Sequence, residues 1–254
     1  MPPGVDLVVF DCDGVLVDSE VLACRAVADT LAAFGHAVPV ESIAERFTGV
    51  SNKDMYAALA VDIGGPLPEE FDAAMKRCAL DLFERELAAI AGLASVMPQL
   101  AVATCVASSS LPDDIVWKLQ RTDLLRWFPP TAIFSTALVA RGKPAPDIFL
   151  YAAEKMGVSP GRSIAIEDSV AGVTAAKAAG MATFGFAGGS HCSTGHAARL
   201  KAADADLVFA DMRELPGLVA ARERSISGRR PSPLRTSARR AASTLRRCRR
   251  CSCR

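Results

Sequence analysis

The 254-residue chain has only three histidines, His36, His191 and His196, and none lies in a motif, so no role is expected for them. No apolar run approaches the ~20 residues that a membrane-spanning helix needs. The N-terminal "MPPGVD" has neither a basic region nor a long apolar stretch, so no secretory signal is expected. The eight cysteines form no small-scaffold framework. Cys12, Cys24, Cys78, Cys105 and Cys192 are scattered, and Cys248, Cys251 and Cys253 crowd the C-terminus. A reducing, cytoplasmic setting is therefore expected. The C-x-x-C-x-C of the last residues lacks a fourth ligand at finger-like spacing, which argues against a metal finger.

What is present is an ordinary globular composition, 50% hydrophobic and 22% charged, with an uneven distribution of charge. The net charge is +1, yet the segment from Arg222 onward holds 12 Arg against one acid, Glu223. The first 221 residues are therefore acidic, at about −10. Residues 222–254 show no sustained apolar period and are predicted to be a basic, disordered tail. Such a tail can attract nucleic acid or an acidic surface, but a solvated appendage is the plainer reading.

Along the acidic part, Val5 to Phe10 reads as a short buried strand. Ser19 is placed to cap a helix running to about Phe34, with Val27, Leu31 and Phe34 on one face. From Val38 to about Ala91 the pattern is helical, with Phe71, Met75, Cys78 and Leu82 in step. Strand-like segments then alternate with helical ones. "AVATCVA", "TAIFS", "SIAIE", "ATFGF" and "DLVFA" are the strands. Helices are predicted from Pro112, over 146–157 and over 170–180. This alternation predicts an α/β fold: a Rossmann-like parallel-sheet core with an inserted all-helical cap. The expected boundaries are 1–18 and 92–221 for the core, 19–91 for the cap and 222–254 for the tail.

Ligands of an open parallel sheet collect at the carboxyl ends of its strands. Four predicted strands end in, or lead into, chemistry-bearing residues: Asp11-Cys12-Asp13-Gly14, Ser108-Ser109-Ser110, Arg141-Gly142-Lys143-Pro144 and Glu167-Asp168-Ser169. Clustered carboxylates repel one another unless a hard cation such as Mg2+ joins them. A carboxylate can attack phosphorus, while hydroxyl, ammonium and backbone N–H groups hold the phosphoryl oxygens. Gly14 would let the backbone come close to the phosphate. Taken singly, Asp-x-Asp-Gly can be a turn, the serines helix caps and Lys143 an exposed loop residue. Asp18 reads as a structural or capping carboxylate.

The four motifs "VVFDCDGVLVDSE", "CVASSS", "RGKPAPDIF" and "SIAIEDSVAGVTAAKAAGM", in this order, resemble the haloacid dehalogenase superfamily over residues of about 5–221. The similarity is to its helical-cap branch of β-phosphoglucomutase-like proteins and sugar-phosphate phosphatases, including those acting on 6-phosphogluconate-like substrates. It implies that Asp11 is the nucleophile and Asp13 the general acid/base. Gly14, Ser108, Ser109 and Lys143 would bind the phosphoryl group. Asp11, the Asp13 carbonyl, Glu167 and Asp168 would hold Mg2+.

Dehalogenating members of the superfamily lack the second aspartate of the first motif, so Asp13 implies phosphate esters. The β-phosphoglucomutases carry a cap-helix histidine where this chain has Ala23, and a cap-loop arginine where it has Asn52. Hydrolysis of a small sugar or sugar-acid phosphate is therefore expected, with a mutase as the alternative. A catalytically silent binding or regulatory relative is the alternative of another class. The cap loop, with Arg46, Asn52 and Lys53, is the expected specificity element; Arg46 or Lys53 could meet a second anionic group or simply be solvated. A small phosphorylated metabolite is the expected partner. A monomer is expected, and neither membrane nor nucleic acid.

Overall fold

The computed structural model describes residues 4–47, 50 and 52–227. Its sheet has six strands: β1 (Leu7–Phe10), β2 (Ala103–Ser108), β3 (Ile133–Ser135), β4 (Ser163–Glu167), β5 (Ala182–Phe186) and β6 (Leu207–Phe209). All neighbours are parallel, in the order β3-β2-β1-β4-β5-β6. The central strand β1 is apolar at every position because both its faces are covered. Val8 and Phe10 join one cluster with Ile115, Phe128 and Leu215, while Leu7 and Val9 join the opposite one with Ile148, Phe149 and Ala176. Phe10 is fully buried and meets Phe128 edge-on at 6.1 Å. Burying such a ring contributes about 2–3 kcal/mol.

Between β1 and β2 lie four helices: α1 (Glu20–Ala33), α2 (Val40–Phe47), α3 (Asn52–Asp62) and α4 (Phe71–Glu86). They enclose an apolar cluster of their own, in which Val27 and Leu31 meet Ile43, Leu59, Phe71 and Met75. The helical spacing seen in the sequence is thus the packing stripe of a helical cap. Helix α4 stops at Glu86, short of the expected end near Ala91. There the chain pairs with itself instead: Val17 bridges Ala89 antiparallel, and Leu16 O accepts the Ile90 N–H at 2.9 Å. The two crossings between core and cap therefore run side by side, as a hydrogen-bonded pair.

The remaining helices are α5 (Leu93–Val96), α6 (Pro112–Arg121), α7 (Asp147–Lys155), α8 (Val170–Ala178), α9 (His196–Ala202) and α10 (Leu215–Ser227). Helix α10 runs six residues past the expected start of the tail, anchored by buried Leu215 and Val219. The other residues of that segment, 228–254, lie outside the described residues. No helix among the described residues is long and apolar enough to cross a membrane.

Candidate active site

The parallel register places the carboxyl ends of β2, β1 and β4 side by side. Phe10 is level with Val106 on one flank and Ile166 on the other, so Asp11, Ser108 and Glu167 emerge at one edge. Lys143 comes from the segment before α7 and bridges them. Its Nζ donates to Asp11 Oδ1 at 2.8 Å, to Glu167 Oε1 at 2.5 Å and to Ala107 O at 3.0 Å. An ammonium has three donors, and all three are engaged. Lys143 therefore serves here as a buried positive charge that fixes two carboxylates. Direct donation to a phosphoryl oxygen, as expected from the sequence, would require releasing one of them.

Asp11, Glu167 and Asp168 each offer a carboxylate oxygen within 4.8 Å of the others. Burial, opposed by Lys143, raises the Asp11 carboxyl. Burial and the charge of Asp11 push Glu167 up to about 8, and the same causes hold Asp168 well above the carboxylate range. With one lysine among three desolvated carboxyls, ionising all three together requires a further positive charge. Hard oxygen donors so placed could hold a divalent cation.

Local structure keeps these carboxyls where they are. Ser169 accepts the Gly172 N–H at 3.0 Å and so caps α8, and its hydroxyl donates to Glu167 Oε2 at 3.2 Å. A Cβ at Gly172 would coincide with the Glu167 carboxylate. Gly14 has φ +76°, and a Cβ there would collide with Asp168 Oδ2 and the His191 ring. The space freed by Gly14 thus admits a carboxylate, where the sequence suggested room for phosphate.

Asp13 turns toward α6. Its Oδ1 accepts from Lys118 Nζ at 2.6 Å and from Ser19 Oγ at 2.5 Å, and its Oδ2 from Ser110 Oγ at 2.6 Å. Burial alone would raise this carboxyl, but Lys118 and the two hydroxyls hold it below the usual range. Ser19 thus spends its hydroxyl on Asp13 and makes no side-chain cap for α1. Asp18 is structural, as expected: its Oδ1 accepts from Ser190 N at 3.1 Å and Ser190 Oγ at 2.8 Å.

A cleft of about 1380 Å3 between cap and core opens onto Asp11, Asp13, Ser108, Ser109 and Lys143. Ser108 is buried, and its Oγ accepts the Ser110 N–H at 3.1 Å, which leaves its own O–H to donate. Ser109 is exposed at the rim. Of the cap candidates, Asn52 lines the cleft. Arg46 does not; its guanidinium pairs with Asp62 at 2.7 Å and packs over Phe47. Lys53 is exposed and also lies off the cleft lining. Three residues of the cap loop, Thr48, Gly49 and Ser51, lie outside the described residues.

Several residues in contact with the site carried no sequence signal. Lys118 reaches Asp13 only because α6 folds beside β1, and it joins there Ser110 of the expected serine run. Glu20 projects into the cleft, where burial and the neighbouring Asp168 and Asp13 push its carboxyl up to about 8. His191 and His196 are buried against Asp168. The Gly188-Gly189 pair after β5 was the one available hint, since it marks a turn at the same sheet edge.

The profile of the haloacid dehalogenase-like hydrolase family matches residues 5–180. The 6-phosphogluconate phosphatase of Escherichia coli (strain K12) is 31% identical over 188 residues, which cover 74% of this chain and 85% of that protein. The probable pseudouridine-5'-phosphatase of Drosophila melanogaster is 34% identical over 180 residues, 68% of this chain and 78% of its own. Among solved structures, a haloacid dehalogenase-like protein of unknown function from Agrobacterium tumefaciens superposes with a TM-score of 0.80. It is 38% identical and covers 86% of this chain and 99% of its own.

Proposed function

The chain belongs to the haloacid dehalogenase-like hydrolases, and from that premise we propose that it is a Mg2+-dependent phosphatase of a small sugar or sugar-acid monophosphate, working through an aspartyl-phosphate on Asp11. One observation carries this reading. The Asp11 carboxylate accepts from Lys143 Nζ at 2.8 Å and has a carboxylate oxygen within 4.8 Å of those of Glu167 and Asp168. We take the core as 1–18 and 92–221 and the cap as 19–91, a partition that the side-by-side crossings at 16–18 and 88–90 support.

Asp11, Glu167 and Asp168, with the Asp13 carbonyl, would hold Mg2+. When bound, the ion neutralises charge on the phosphoryl oxygens. An Asp11 carboxylate oxygen attacks phosphorus as the ester P–O bond breaks. Asp13 gives its proton to the departing alkoxide. In the second step a water attacks the phosphoryl group, Asp13 takes the water's proton, and inorganic phosphate leaves Asp11 free. Ser108 O–H and nearby backbone N–H groups hold the phosphoryl oxygens. Asp13 as seen, paired to Lys118, is in the base form that the second step needs. Freed from Lys118, the same carboxyl rises under burial toward the acid form that the first step needs. Closure of the cap over the cleft would exclude bulk water during the first transfer.

The charge of the cleft narrows the leaving group. Beyond Asp11, Asp13, Lys143 and Asp168, its described lining carries the acids Glu20, Glu84, Asp113 and Asp114. Its other cations are Lys76, paired to Asp72 at 2.7 Å, and Lys118, paired to Asp13. A neutral polyol suits this lining better than a sugar carrying a second anion.

The test is phosphate release from a panel of sugar phosphates with Mg2+, wild type beside Asp11→Asn. Turnover is expected to vanish in the variant while its circular dichroism stays that of the folded protein. Continued hydrolysis by a folded Asp11→Asn protein would rule out Asp11 as the nucleophile. Transfer between sugar positions with little free phosphate would indicate a mutase instead.

A further inference from the structure

The loop after β5 grips Asp168 at two points. His191, with its side chain wholly buried, places Nε2 3.0 Å from Asp168 Oδ2. His196, at the start of α9, places Nε2 2.7 Å from the Asp168 carbonyl oxygen. Arg199 donates to His196 Nδ1 at 3.1 Å, which sets the tautomer: the proton sits on Nε2 and is given to that carbonyl. The two rings meet edge-to-face, with centroids 5.3 Å apart. Ser190 ties the same loop to Asp18, five residues after Asp13. The His191 ring occupies room that exists only because Gly14 and Gly189 lack a Cβ.

We propose that His191 and His196 are positioning residues that hold the Asp168 side chain and backbone in the one orientation from which the carboxylate can take a divalent cation. The proposal rests on the metal-dependent reading above. Outer partners of this kind orient a ligand and set its affinity.

A second possibility is that His191, Cys192 and His196 themselves bind a metal, since their ligand atoms lie within 4.8 Å of one another. The hydrogen bonds argue against it. Both nitrogens of His196 are committed, to Asp168 O and to Arg199, and His191 Nε2 faces Asp168 Oδ2 and Cys192 Sγ, which leaves His191 Nδ1 as the one imidazole nitrogen of this loop without a partner.

The experiment is Mn2+ binding to the full chain, followed by the electron paramagnetic resonance signal of the free ion. Wild type, Asp168→Asn, His191→Ala, His191→Gln and His196→Gln are compared. His191→Ala should bind about 10–100-fold more weakly, with the amide of His191→Gln restoring much of the affinity. The loss should appear as a higher Mg2+ activation constant that closes at saturating Mg2+, a split that simple loss of folded protein would not produce. If His191→Ala does not fold, His191→Asn, whose shorter amide falls short of Asp168 Oδ2, takes its place and should lose affinity likewise.

Unchanged Mn2+ affinity in folded His191→Ala and His191→Gln overturns the positioning role while leaving the metal reading in place. Absence of Mn2+ binding by the wild type, or equal binding by Asp168→Asn, overturns both. Co2+ absorption bands of a thiolate ligand, lost in Cys192→Ser, would also overturn it by showing that the loop is a ligand set.

Discussion

Lys118 Nζ lies 2.6 Å from Asp13 Oδ1, and the two groups are 10% and 18% exposed. Lys118→Met keeps much of the volume and removes the charge, leaving Asp13 with only the hydroxyls of Ser110 and Ser19. Asp13 has a lowered carboxyl in the folded state, so it stabilises the fold above the ordinary aspartate range and that contribution fades as pH falls through its folded value. Without Lys118 the contribution should disappear. A loss of about 3 kcal/mol, the low end for a broken buried pair, is expected at neutral pH in urea unfolding. The alkaline limb of the kcat/KM profile, set by loss of the protonated Asp13 that the first step needs, should also move to higher pH. An unmoved limb would show that Lys118 does not act on the proton-transfer group.

Gly172→Ala tests whether a helical glycine is there for packing or for charge. In an exposed helix interior this exchange stabilises by roughly 1 kcal/mol. Here the new methyl would occupy the space of the Glu167 carboxylate, so the sign should reverse. A protein with a lower melting temperature and weakened metal activation is expected. Increased thermal stability with normal activation would show that Glu167 can move aside at no cost.

Stability of the metal-free protein should fall as pH rises between the ordinary glutamate value near 4.5 and about 8, as far as Glu167 is concerned. Its carboxyl is raised by burial and Asp11, so the folded state holds a proton there that the unfolded state has lost, and stability declines with pH across that window. A cation that binds the ionised cluster should offset the decline. The melting-temperature gain from Mg2+ over a chelator should therefore grow from pH 5 to pH 8. A gain independent of pH would mean that the cluster is already ionised without metal.

The sheet was legible because its signal is local. β4 and β5 were expected at the observed residues, since a strand buried on both faces writes an unbroken apolar run between turn residues. Three of the four motif segments were legible because they sit at a strand's carboxyl end, and parallel pairing brings Asp11, Glu167 and Asp168 together. The partners of Asp13 and Asp168 were not. Lys118 is 105 positions from Asp13 and His191 is 23 from Asp168, and only the fold makes them neighbours. Ser19 misled for a related reason: a serine ahead of a helix is a cap by local rules, but the buried Asp13 carboxylate was the stronger acceptor. The stretch near Ala91 reads as helix by pattern, while its backbone is taken by Leu16 and Asp18.

Arg46 and the charge of the cleft lead to a prediction about substrates. A second anion on the leaving group would meet Glu84, Asp113 and Asp114, with the cleft's cations already paired. Two like charges roughly 10 Å apart at an effective dielectric constant of about 20 cost about 1.7 kcal/mol, which is more than tenfold in rate. Hexitol or nucleoside monophosphates should therefore be turned over with kcat/KM at least about tenfold above that for a sugar-acid phosphate of similar size. Added salt should narrow the gap, because screening weakens the repulsion. Arg46→Ala should leave that preference as it is, since its guanidinium is held by Asp62 away from the cleft; the exposed pair is worth about 0–1 kcal/mol of stability. A sugar-acid phosphate as the best substrate, with a KM that rises sharply in Arg46→Ala, would mean that Arg46 swings into the cleft as the cap closes, and the neutral leaving group would have to be abandoned.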